Sequence, residues 1–256
     1  MRIKICGIDP SLSSTGFAMA FCDFSECYRC FLSSLLFADP VSGDFLKEFS
    51  KCVDFSVMSE IHEIKPHIKE LAKVRKEIRE SVEPSIELIQ RVNIFEVSRL
   101  VWQASEIDRY LTKLDPDLVF IEDYSYHSRG STTQLAELRG CLKTFLFNNV
   151  KQPRRFKYLV APITSVKKIG GTKGNATKPL MCEGMKRFGF DLDVADDDKV
   201  DAMAIVVTAF YSMYYRMFGL DVPKEMKKAD RNSWDKALRT FANRIGTKDE
   251  MESWIR

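Results

Sequence analysis

Histidine is scarce in this chain, three in 256 residues, and none has an acidic or cysteine partner to make a catalytic triad. No run is apolar for long enough to span a bilayer. The most apolar stretch, Ala202 to Tyr215, falls short of the roughly 20 residues a transmembrane helix needs and reads as a buried helix. The first residues carry a strand pattern, not a signal peptide's charged start and apolar core, so no targeting segment is expected. Seven cysteines are an odd number in a chain large enough for a real core, and they read as reduced thiols in a cytoplasmic setting. Cys27 and Cys30 have C-x-x-C spacing, with Cys22 nearby on the same expected hairpin. No second Cys or His pair completes a zinc site, so packing thiols are the better reading. The glycine-rich stretch Gly170 to Asn175 lacks a following Gly-Lys-Ser/Thr and is not a nucleotide-binding P-loop. Internal repeats and low-complexity segments are absent.

What is present is an ordinary globular composition, 45% hydrophobic and 29% charged. The length allows one large domain, or one domain with additions. The formal net charge is only +3, so the balance of the whole chain says little about partners. Its distribution says more. From Lys151 to Pro179 there are eight Lys or Arg and no Asp or Glu. That stretch is a solvated basic loop or a surface for a polyanion.

Periodicity gives the element order. Arg2 to Asp9 is a short β-rich run stopped by Pro10. Gly16 to Cys22 and Tyr28 to Phe37 are two more, making an antiparallel meander with the first. Between about 39 and 84 the pattern turns helical: Ile61, Ile64, Ile68, Leu71, Val74, Ile78 and Val82 recur amid alternating Lys and Glu. A long helix follows from Ser85 to Leu114. Then come a strand at Leu118 to Glu122, a helix at Thr133 to Phe147 and a strand at Phe156 to Ala161. Helices are expected at Lys178 to Phe188 and Asp198 to Phe218. The tail, 221–256, is polar, with Trp234, Leu238, Phe241 and Ile245 at roughly helical intervals.

Four carboxylates stand in this frame where metal chemistry needs them. Asp9 and Glu122 each end an apolar strand. Asp198 and Asp201 open an apolar helix at i and i+3, and so share one face of it. Two strand ends and one helix start can converge, and four oxygen ligands suit hard divalent cations such as Mg²⁺. That is the apparatus of two-metal phosphodiester cleavage. Blander readings exist for each residue. Asp198 and Asp201 also fit capping acids at a helix start, Asp9 fits a turn residue before Pro10, and Glu122 fits a solvent-facing strand end. Asp123 points to the opposite face from Glu122 and reads as a surface acid or a support to its neighbour.

The order of three strands, then helix, strand, helix, strand and helices, is that of an RNase H-like α/β fold: a mixed five-stranded sheet flanked by helices. At the level of motifs the chain resembles the RuvC family of Holliday junction resolvases. Gly7-Ile8-Asp9-Pro10-Ser11 with Thr15-Gly16-Phe17 resembles the family's first-strand motif. Ile121-Glu122 followed by aromatic residues resembles the second, and Asp198-Lys199-Val200-Asp201-Ala202 the final paired-aspartate motif. Lys178 sits where the family carries an essential lysine. The resemblance covers most of residues 1–50 and 85–218.

The resemblance implies a Mg²⁺-dependent, structure-selective DNA endonuclease acting in recombination and repair, with two ions per active site and Mn²⁺ able to substitute. Asp9, Glu122, Asp198 and Asp201 would be metal ligands, and Lys178 would steady charge on the scissile phosphate. It also implies a homodimer on a four-way junction, since paired cuts in a two-fold substrate call for two active sites. Lys167, Lys168 and Lys173 read as contacts to the DNA backbone, and the loop glycines as permitting its close approach. Where the family often has an aromatic three residues beyond the glutamate, this chain has Ser125; Tyr124 and Tyr126 are candidates for stacking, and Arg129 for a phosphate. The helical insertion at about 39–84 in the 1–220 nuclease domain, and the 221–256 helical extension, depart from bacterial members. Viral or phage members with relaxed branched-DNA preferences are one home for such additions, and the host cytoplasm would then be the location. The rival functions are a broader nuclease of the same fold cutting flaps, forks or RNA–DNA hybrids, an actin- or Hsp70-like ATPase, and a non-catalytic DNA-binding protein.

Overall fold

A computed structural model describes residues 2–11, 15–24, 53–60, 65–123, 132–150, 156–171, 173–188, 190, 197–218 and 228–254. The described residues form one five-stranded sheet: β1 (Arg2–Pro10), β2 (Thr15–Asp23), β3 (Val53–Glu60), β4 (Leu118–Glu122) and β5 (Lys157–Ala161). The strand order is β3-β2-β1-β4-β5. β2 runs antiparallel to both β1 and β3, whereas β4 is parallel to β1 and β5 parallel to β4. This mixed order, with helices on both faces, is the RNase H-like arrangement.

The two long central strands are hydrophobic nearly throughout because both of their faces are covered. Ile3, Ile5, Ala18, Ala20, Leu118 and Phe120 join one buried cluster; Cys6, Ile8, Phe17, Met19, Val119 and Ile121 join the other. The second face is covered by α2 (Ile86–Leu114) and α3 (Thr132–Val150), which bring Leu100, Ala104, Ile107, Leu138 and Leu142 to it. Ser85 caps α2 as expected at that position, its hydroxyl accepting from the Leu88 N–H at 3.2 Å. Ahead of it, α1 (Lys65–Glu80) packs on α2 through Arg75–Glu96 and Arg91–Glu77 pairs.

The first face is covered by α4 (Ile163–Gly171), α5 (Lys178–Lys186), α6 (Asp197–Phe218), α7 (Lys228–Ile245) and α8 (Lys248–Trp254). α6 is the central element. Val200, Met203, Ile205, Val206 and Phe210 are all buried on it. α7, from the tail, contributes Trp234, Leu238 and Phe241 to the same cluster, with Trp234 stacked on Phe188 at 5.8 Å between ring centroids.

Two expectations need correction. The helical reading of 39–84 holds for α1, but Val53–Glu60 is the third strand. Its alternation of Val53, Phe55 and Val57 with Asp54 and Ser56 is a period-two signal. The run Tyr28 to Phe37, expected as that strand, lies outside the described residues. Second, Gly170 and Gly171 are not a loop open to a DNA backbone. They end α4 and are buried. A Cβ on Gly184 of α5 would collide with the Gly170 carbonyl oxygen, so these glycines let two helices cross in close contact. Among the described residues, no helix is long and apolar enough to cross a membrane.

Candidate active site

Register decides which carboxylates meet. In the parallel pair β1–β4, Ile5 lies beside Leu118 and Ile8 beside Ile121. The next residues along the two strands are Asp9 and Glu122. Side chains alternate along a strand, so both acids fall on the face of Ile5 and Phe120, beneath α6. Their carboxyl groups lie within hydrogen-bonding reach of each other.

The third acid comes down from above. Gly7 makes this possible: a Cβ there would run into the Ala202 carbonyl oxygen and lie 2.9 Å from Val206 Cγ2. With only a hydrogen at Gly7, α6 settles directly on β1. Asp201, one residue before Ala202, is thereby held 6% exposed over Asp9, which is also 6% exposed. Lys178, at the start of α5, forms an ion pair with Asp201 Oδ2. Lys167 on α4 lies close enough to Glu122 to act on its charge.

Electrostatics show how crowded the acids are. Burial raises the Asp9 carboxyl well above its ordinary range, the charges of Glu122 and Asp201 push it further, and Lys178 opposes them. Glu122 is raised too, chiefly by burial, against the hydrogen bond with Asp9 and the pull of Lys167 and Lys178. Bringing three carboxylates together, Asp9 and Asp201 buried and Glu122 half-buried, is costly unless a cation or a proton compensates.

The chemistry of this donor set fits a hard divalent cation, being all oxygen and strongly anionic. Among the described residues, no three such side chains are already drawn together as a cation cage. The Lys178 ammonium is held at Asp201. It is a positive charge of the kind a metal ion would displace.

Of the residues expected from sequence, Asp9, Glu122, Asp201 and Lys178 are brought together. Asp198 starts α6, one turn before Asp201, and its side chain lies outside the described residues. Lys167 stands closer to the acids than a backbone-contact role requires. Lys168 is half-buried and Lys173 exposed, on the same α4–α5 side. Tyr124, Tyr126 and Arg129 lie outside the described residues. Asp123 is paired with Arg139 of α3 at 3.1 Å and Arg244 of α7 at 3.2 Å, away from the acid cluster.

Sequence reasoning passed over Gln103. Its amide donates to the Ser11 carbonyl at 2.7 Å and to Thr15 Oγ1, two residues that flank the end of the β1–β2 pair. The signal was a polar residue at i+3 from Leu100 and i−4 from Ile107, inside the apolar stripe of α2.

No family model matches the chain. Among solved structures it is similar to Thermus thermophilus RuvC at 14% sequence identity and a TM-score of 0.46, over 85% of this chain and 97% of that one. It is similar to T. thermophilus RuvC in complex with Holliday junction substrate at 15% identity and a TM-score of 0.46, over 82% and 94%.

Proposed function

We propose that this protein is a divalent-cation-dependent, structure-selective DNA endonuclease that introduces paired nicks in four-way junctions or related branched DNA. The observation that carries the reading is the convergence of Asp9, Glu122 and Asp201 beneath α6, with Lys178 and Lys167 around them. Mere helix capping or strand-end solvation would leave such acids apart and wet; these are buried or half-buried and push on one another.

Asp9, Glu122, Asp201 and, from the same helix, Asp198 would hold Mg²⁺, with Mn²⁺ able to replace it. Bound ions supply Lewis-acid stabilisation for in-line hydrolysis of a phosphodiester. The chain's own residues do the rest. Asp9 sits at the centre of the cluster, between Glu122 and Asp201, and would act as an anionic ligand. Glu122 is kept in place by its strand and by Lys167. Lys178, held beside Asp201, is placed to neutralise charge developing on the scissile phosphate. Lys168 and Lys173 extend the positive surface along α4 and α5 for the flanking backbone.

The reading includes a homodimer, because two symmetric cuts need two such sites. Large apolar residues on α2, with Ile86 74%, Ile94 62% and Val97 59% exposed, support pairing of copies.

The test is a nicking assay with Mg²⁺ on end-labelled four-way junctions, flaps, forks and linear duplex, comparing wild type with Asp201→Asn. Symmetric junction cuts that fall by roughly a thousandfold in the variant are the expected result. Cutting spread over flaps and forks would keep the metal chemistry and change the role to general debranching. Junction binding without cleavage by either protein would leave a DNA-binding protein.

A further inference from the structure

Asp9 lies at a weak point of the sheet. The last pairs of the β1–β2 ladder are Asp9 with Gly16 and Pro10 with Thr15. Proline has no N–H to give a ladder, and the β1–β2 pairing stops at it, one residue past the central acid. Glycine opposite Asp9 adds no side chain to steady it. Ends of this kind fray first.

A further tie comes from the far face of the sheet. Gln103 on α2 is 1% exposed and Thr15 is fully buried. One Gln103 N–H goes to the Ser11 carbonyl and the other to Thr15 Oγ1. A carbonyl can only accept, so the amide orientation is fixed by chemistry. One acceptor lies just past the end of β1 and the other on β2, both just beyond the Asp9–Gly16 pair, so a single side chain bridges them. Gln103 Oε1 is itself buried with no hydrogen-bond partner among the described residues. Its surroundings, Leu100, Ala104 and Ile107, are apolar. Packing alone would be better served there by a leucine.

We infer that Gln103 is a positioning residue: by bridging Ser11 and Thr15 it fixes the end of β1 and so holds the Asp9 carboxylate in place for divalent-cation binding. The inference rests on the functional reading above, and it adds a residue that touches neither cation nor DNA. α2 thereby contributes to the site from the opposite side of the sheet.

The experiment is Mn²⁺ binding to the full chain by calorimetry, with Mg²⁺-dependent junction nicking in parallel. Gln103→Leu removes both donors at similar volume. Thr15→Val removes one acceptor. Leu111→Ala, at a buried position farther along α2, loses stability without touching the strand end. Gln103→Leu is expected to weaken Mn²⁺ binding by at least about tenfold, the effect typical of groups that orient metal ligands, and to lower kcat with little change in KM for DNA. Thr15→Val should move the same way by less, and carries the test if Gln103→Leu does not fold. Leu111→Ala should melt earlier yet bind Mn²⁺ as wild type does. Wild-type Mn²⁺ affinity in Gln103→Leu, or an equal loss in Leu111→Ala, would overturn the inference and leave the endonuclease reading standing. A wild-type protein that neither binds Mn²⁺ nor cuts DNA would overturn both.

Discussion

Glu122 and Asp123 are neighbours in the chain and opposites in their surroundings. Asp123 sits between two guanidinium groups, with Arg139 on one side and Arg244 on the other. Glu122 faces Asp9 and lies within the field of Asp201. The first carboxylate has its charge cancelled and fastens α3 and α7 to the end of β4. The second has acids for company and is short of positive charge. A cancelled charge serves stability; a crowded one is kept at a cost that a cation or a proton must offset. The alternation of a β-strand is enough to send two adjacent acids to these two fates.

Three changes would break or sharpen that contrast. The largest effect is expected from Gly7→Ala, which leaves every acid in place and pushes α6 off β1. Overpacking of this kind costs about 1–3 kcal/mol, and shifting Asp201 by a fraction of its contact distance should cost roughly a hundredfold in nicking rate. Chemical denaturation and the junction assay measure the two losses separately; nicking at the wild-type rate would show that the crowding does not depend on the close fit. Next comes Asp123→Ala. It leaves Arg139, whose side chain is 8% exposed, buried without its anion. Asp123 is itself about one third exposed, so the loss is expected near 2 kcal/mol, below that of a fully buried pair. Nicking of the folded variant should stay close to wild type; a collapse of activity at full stability would put Asp123 in the chemistry.

The smallest effect concerns pH. In EDTA the raised Asp9 carboxyl holds its proton in the folded chain at pH values where the unfolded chain has lost it. Its contribution to stability is therefore complete below the ordinary carboxylate range, and is lost as pH rises through the raised folded-state value. Thermal melts in EDTA should fall as pH rises above the ordinary carboxylate range, and Asp9→Asn should flatten that slope. An unchanged slope in the variant would mean that the acids are not crowded in solution.

The meeting of Asp9, Glu122 and Asp201 was legible because three apolar elements each begin or end in an acid, and periodicity places such residues at element ends. Lys178 was legible from its resemblance to a family motif and from a cation standing at a helix start against the dipole. The third strand was not legible. Val53 to Glu60 has the alternation of a half-buried strand, but the stronger helical rhythm that follows, to Val82, absorbed it. The helix α4 was hidden for a different reason. Ile163 to Gly171 is short and ends in two glycines, a poor helix by propensity, and it is held by its crossing with α5 at Gly184. Gln103 was hidden because hydrophobic patterning counts apolar positions and passes over the polar one among them.

The parallel pairing of β1 with β4 has a consequence for the making of the protein. Of the three acids Asp9 is synthesised first, Glu122 well after it and Asp201 last. The cluster that supports α6 also needs Trp234 and Phe241 from α7, with Phe241 packed 5.5 Å from Phe120 between ring centroids. Contacts so distant in sequence form slowly and late in folding. A nascent chain or an early-terminated fragment therefore carries the first acid without an assembled centre. The acid centre is therefore not assembled until translation has run through α7, so the order of synthesis itself delays any chemistry this cluster performs.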